Sequence, residues 1–207
     1  MQKRIILAAI LLAVALSCAK KPEKITVFAA AAYIPVLEAV RHDSLAETGL
    51  AILPEYSGSH AACRKLTELG RSCDILMLAD SELFKTLASE RCPWWIDIAS
   101  DEMVIGVGRL AKYTDEAETD WISVLLRDDV RLARVDENLG PAGYRTLLTW
   151  KLAEINGAPA LSERLKAKTV KLVDDVSRLT ALLKTGDADY GFVYRSICIT
   201  QDIRYIE

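Results

Sequence analysis

Apolar runs alternate with stretches of helical periodicity along most of this chain. "ITVFAAAA" (25–32) is a short β-rich apolar run, and Pro35 opens a helical pattern that reaches Arg41. "LAILPEY" (50–56) predicts a second strand. In "AACRKLTELG" the residues Ala62, Leu66 and Leu69 share one helical face, and Gly70 stops it. "CDILMLA" (73–79) is continuously apolar, as a buried parallel strand is, and Asp80 or Ser81 then caps "ELFKTLAS". Further strands are predicted at 102–108, 130–135, 170–173 and 188–196. The helices between them begin at the caps Thr119 and Asp120, at Pro141, within "APALSERLKAKT", and at Asp174 and Asp175. Pro141 near the start and Gly157 past the end of "PAGYRTLLTWKLAEING" is the asymmetry expected of a helix. Strand–helix alternation throughout predicts an α/β fold with mainly parallel sheet.

The first residues do not fit that scheme. Lys3 and Arg4 precede an apolar run from Ile5 to Ser17, too short to span a bilayer comfortably. A charged start and apolar middle are the marks of a secretory signal over 1–17. "ALSC" resembles the lipobox after which Cys18 is lipidated, although Ala15 stands where Leu is usual; a plain secretory cut is the alternative. Residues 18–24 then read as a polar tether. The expected location is extracytoplasmic, anchored to the membrane through the lipid on Cys18.

Charge and motifs narrow the function. Loss of the leader takes Lys3 and Arg4 with it and lowers the net charge of −3 by two. That argues against a nucleic-acid surface and leaves any anion site dependent on local donors. The sequence contains no HExxH, GxSxG, GxGxxG or GxxxxGK[ST] pattern. His60 and Cys63 would share a helical face, but with Cys73 they match no standard zinc set, so neither a metal nor an enzyme is expected. Cys63, Cys73, Cys92 and Cys198 allow two disulfides in three connectivities, or serve as small apolar residues.

The informative stretches are turns of small residues placed before helices: "FAAAAYIP", "YSGSHAA" and "VDENLGPAGYR". At such junctions backbone N–H groups lack acceptors and face the positive end of a helix dipole. Taken singly, each is more simply a cap or a packing contact. Together, "ITVFAAAAYIPVLEAV", "YSGSHAACRKLTELGRSCDILMLAD", "GPAGYR" and "LLKTGDADYGFVYRS" resemble, in order, segments of the periplasmic molybdate-binding proteins of ABC transporters. "LTELG", "LLRDDV" and "GYR" are similar to the related molybdate/tungstate-binding branch. The likeness runs from about Ile25 to Ile206.

The resemblance implies a two-lobed periplasmic-binding-protein-like fold (type II): lobe I at 25–108, lobe II at 109–192 and a return crossover at 193–207. It also implies a tetrahedral oxyanion, molybdate or tungstate, passed to a membrane permease. Carried over by position, Ser59 is the hydroxyl donor of the second turn. Ala142 and Val176 offer backbone N–H groups, Tyr194 offers its phenol, and Ala32 stands where the family has its first serine. Ala32 can supply only its N–H. The positions of two carboxylates that the tungstate branch adds are Gly140 and Val193; Asp136 or Glu137 would replace the first only after a loop shift. Arg145 and Arg195 fit surface charges or a cleft rim, and Trp94 and Trp95 fit packing at a strand edge. The family pattern continues past the position of Glu207, which implies a smaller first lobe, a truncated gene or a segment supplied by a partner. Ala32 and that difference leave a second reading open: a repurposed or degenerate lipoprotein of the same fold that no longer binds oxyanion.

Overall fold

The computed structural model describes residues 22–207; the signal at 1–17, Cys18 and the first part of the tether lie outside them. Strand β1 (Glu23–Ala30) is the centre of a three-stranded parallel sheet, flanked by β2 (Leu50–Ser57) and β3 (Ile75–Met77). Successive β1 residues enter opposite cores, as a period of two requires. Phe28 packs with Ala62, Cys63, Leu83 and Phe84, whereas Val27 and Ala29 pack with Leu37, Ile52 and Tyr56. The strand ends two residues earlier than its apolar run, because Ala31–Tyr33 tightens into a 3-10 turn. Ala32 therefore sits in a turn, ahead of helix α1 (Ile34–Thr48), which has Pro35 in its first turn. Helices α2 (Ser59–Thr67) and α3 (Glu82–Thr86) cover the same sheet.

The second sheet holds β4 (Met103–Val107), β5 (Leu132–Val135), β6 (Thr169–Val173), β7 (Tyr190–Tyr194) and β8 (Tyr205–Ile206), in the order β6-β5-β7-β4-β8. β5 runs parallel to β6 and β7, while β4 is antiparallel to β7 and β8. Around it lie α4 (Thr114–Ala117), α5 (Trp121–Leu125), α6 (Pro141–Ile155), α7 (Leu161–Lys168), α8 (Val176–Thr185) and α9 (Arg195–Thr200). Tyr190 and Phe192 enter one core, where the fully buried Trp150 meets Phe192 edge-on at 5.8 Å. Burying a side chain of that kind contributes about 2–3 kcal/mol. Val193 enters the other core with Leu179 and Leu183.

Three expectations change here. β4, expected to close lobe I at 108, pairs residue by residue with β7, from Met103–Tyr194 to Val107–Tyr190. The segment 193–207 does not return toward the first sheet: β8 pairs with Ile105 and Gly106. A short apolar run looks the same in either sheet, so its pattern does not reveal its neighbours. Finally, residues 87–102 form neither helix nor strand. Trp95 stacks on Phe84 at 5.8 Å, against the cluster that also takes in Leu76 of the edge strand β3, whereas Trp94 is 72% exposed and does not pack there. Cys63, Cys73, Cys92 and Cys198 are free thiols, the first three within the apolar cluster around Phe28.

Candidate functional site

Where the two sheets' strand ends and helix starts meet, they leave a cavity between them. About 20 Å³ of it admits the centre of a water-sized sphere, roughly what one water needs. Ala32, Ser59, Ala142, Val176 and Tyr194 all line it. Its wall carries no lysine, arginine or histidine.

Each of these residues is brought there by local chain chemistry. The N-cap of α2 is Gly58, with no side-chain cap, so the SGS turn is not an ordinary serine cap. Ser59 is 1% exposed, and its Oγ accepts the N–H of Ala79 at 3.2 Å, which leaves the hydroxyl proton free to donate. Gly58 is required by close approach: a Cβ there would lie 2.8 Å from the carbonyl oxygen of Leu139, on the other lobe. Gly140 caps α6 in extended conformation and Pro141 follows. A Cβ at Gly143 would stand 2.4 Å from the carbonyl oxygen of Asp136, so the helix start can rest directly on the loop after β5. That seats Ala142 in the first turn, where backbone N–H groups lack intrahelical acceptors. At α8 the Asp175 carboxylate accepts the Arg178 N–H at 3.0 Å, and Val176 takes the first helical position.

Tyr194 closes β7 and is 7% exposed. Its phenol oxygen is buried without a hydrogen-bond partner among the described residues. Burial pushes its pKa up, against a smaller lowering by the Arg145 guanidinium, so the phenol keeps its proton as a donor at neutral pH. Ala32 contributes a methyl group and its backbone. Gly140 lines the cavity without a carboxylate. The loop has made no compensating shift: Asp136 accepts from Asn138, and Glu137 pairs with Arg134 at 2.5 Å and Lys166 at 3.4 Å.

Beside the cavity is a constellation that the sequence did not disclose. Asp80, read only as a helix cap, has a side chain 2% exposed. Its Oδ2 accepts from Arg145 Nε at 3.0 Å, from Arg145 Nη2 at 2.5 Å and from the Tyr144 hydroxyl. Its Oδ1 accepts the Glu82 N–H at 3.0 Å. Burial raises the carboxyl pKa, but the bonds from Tyr144, Glu82 and Arg145 outweigh it and the net shift is downward. "AD" and "GYR" are separate short signals about 65 residues apart, and only the tertiary fold joins them. Arg195 lies elsewhere, pairing with Glu102 at 2.7 Å and with Glu207. Among the described residues no three His, Cys, Asp or Glu side chains are placed to hold a metal ion.

The family model described as bacterial extracellular solute-binding protein matches residues 25–206. The chain belongs to this family. A solute-binding protein of Petrotoga mobilis is 36% identical over 166 residues, covering 77% of this chain and 51% of that one. The molybdate/tungstate-binding protein WtpA of Thermococcus kodakarensis is 30% identical over 178 residues, covering 73% of this chain and 50% of its own. The chain thus spans about half the length of these two relatives. Among solved structures, the sulfate-binding protein SubI of Mycobacterium tuberculosis aligns with a TM-score of 0.71 at 17% identity, over 89% of this chain and 70% of its own. The periplasmic molybdate-binding protein of Azotobacter vinelandii aligns at 0.60 and 18%, over 82% and 71%. These likenesses establish the α/β periplasmic-binding-protein fold expected from the sequence.

Proposed function

We propose that this solute-binding protein captures a tetrahedral oxyanion, molybdate or tungstate, outside the cytoplasm, and passes it to an ABC-transporter permease without chemical change. The observation that carries this reading is the shared cavity: separate turns contribute donors to it, and its wall has no fixed cation. Ser59 and Tyr194 offer O–H groups, and the first turns of α2, α6 and α8 offer N–H groups at positive dipole ends. Each charge-assisted hydrogen bond contributes roughly 1.5–3 kcal/mol. Asp175 is the one carboxylate of the wall, and its Oδ1 is taken up by the Arg178 N–H. The remaining polar groups are mostly donors, which suits a fully deprotonated dianion better than one that must itself donate a proton, such as hydrogen phosphate. The similarity to WtpA supports the choice of anion.

Thermal melts with molybdate, tungstate, sulfate and phosphate test the proposal. A ligand at a hundred times its Kd stabilises by about 2.7 kcal/mol, which for a domain of this size is a rise of about 5–10 °C. We expect that rise with millimolar molybdate or tungstate and little with phosphate at neutral pH; an unchanged melt with both metal oxyanions refutes the reading. Ala32 favours the alternative of a fold that has lost the anion, and Ala32→Ser separates the two. A working site gains a hydroxyl donor and binds about tenfold tighter, whereas a dead one does not respond. The proposed lipid anchor is tested by Cys18→Ala, which should release the protein from membranes.

A further inference from the structure

We propose that Asp80, Tyr144 and Arg145 form a latch that holds the two lobes together whether or not a guest is bound. The inference rests on the reading of the cavity as a binding cleft, but not on which anion fills it. Asp80 follows β3 in the first lobe; Tyr144 and Arg145 stand on α6, which packs on the second sheet. One carboxylate oxygen is held by its own lobe through Glu82, while the other receives three donors from the opposite lobe. Tyr144 also meets the His60 ring of the first lobe edge-on at 6.4 Å. All three bonds from Tyr144 and Arg145 cross between the lobes, so they are made in this arrangement and would be exchanged for water if the lobes parted.

The latch also explains how a cationic side chain can stand near an anion site without serving it. Asp80 engages the Arg145 guanidinium through both Nε and Nη2, and Arg145 is absent from the cavity wall. Asp80 is thus a positioning residue: it directs the Arg145 guanidinium to closure and leaves guest recognition to the neutral donors of the cavity.

Hydrogen exchange read by mass spectrometry, without added anion, tests this on the whole chain. Asp80→Ala and Arg145→Gln should each speed exchange at the cleft-facing backbone around residues 58–60, 140–143 and 175–177 on the order of tenfold. The double variant should add little to Asp80→Ala alone, because that substitution already removes the pairing with Arg145. Peptides from β1 and β5 should stay protected as in the parent. Tyr144→Phe, which removes a single donor, gives a smaller shift of the same kind if the others fold poorly. The latch is overturned if cleft exchange is unchanged in all three, or if β1 and β5 lose protection equally, which would mark Asp80 as a general fold contact. A protein that ignores molybdate yet shows the cleft response keeps the latch and loses the oxyanion reading; one that binds molybdate but shows no response loses only the latch.

Discussion

Tyr194→Phe should move affinity and stability in opposite directions. The phenol oxygen is buried at the cavity and finds no hydrogen-bond partner among the described residues. An unpartnered buried polar atom costs about 1–3 kcal/mol, part of which a single cavity water would offset. Removing the oxygen should therefore leave the guest-free protein unchanged or more stable by about 1 kcal/mol, a rise in Tm of up to about 2–4 °C. The same substitution deletes one donor to a charged guest. At roughly 1.5–3 kcal/mol for such a bond, molybdate binding should weaken about 10- to 150-fold. Calorimetric titration gives the second quantity, and melts without anion give the first. A variant that is destabilised by more than 1 kcal/mol and binds molybdate as the parent does would falsify the assignment: Tyr194 would then be a core tyrosine whose hydroxyl is satisfied within the fold.

Two further outcomes are expected. Gly58→Ala places a methyl group against the Leu139 carbonyl, 2.8 Å from its oxygen, so it should prop the lobes apart. Small-angle scattering should show a larger radius of gyration and titration a weaker anion, with the core melting little changed. The Glu137 carboxyl is buried enough to raise its pKa, yet hydrogen bonds led by that from Arg134 bring it down to about 2. A depressed carboxylate pKa stabilises the fold above its ordinary value near 4.5 and is lost as pH falls toward 2. Stability should decline by about 2–3 kcal/mol across that interval, with Asp80 adding to the same limb. Glu137→Gln should flatten that slope and lower stability at pH 7, since it leaves the buried Arg134 uncompensated; an unaltered acid limb refutes the pairing.

Much of the fold was legible because local chemistry and tertiary packing agree. Asp175 is a cap by its sequence and accepts the Arg178 N–H; Pro141 marks a helix start by its sequence and occupies the first position of α6. The lining residues were legible for a related reason. Small residues between a strand and a helix leave room for something to approach the backbone, and three such turns, with the acid-capped turn before Val176, line one cavity. Ala32 illustrates the limit of periodicity, since four successive alanines carry no mark of where a strand becomes a turn. β4 illustrates another, because "MVIGV" suits either sheet and its pairing with β7 depends on residues nearly ninety positions later. Asp80, Tyr144 and Arg145 were hidden for the same reason. An acidic residue after a strand is usually a cap, and an arginine in a helix is usually solvated, until the lobes close and each becomes the other's partner.

The antiparallel pairing of β4 with strands far along the chain bears on how the chain assembles as it is made from its N-terminal end. The three parallel strands between Glu23 and Met77 are complete early, so their sheet can nucleate while the remainder is still in transit. β4 emerges next with both flanks bare, and its partners at 190–194 and 205–206 follow only some eighty to a hundred residues later. Until then it is a short apolar ribbon with two open edges, the kind of segment that joins the wrong neighbour. Mutations that slow the docking of β7 should therefore lower the yield of folded protein more than they lower its final stability.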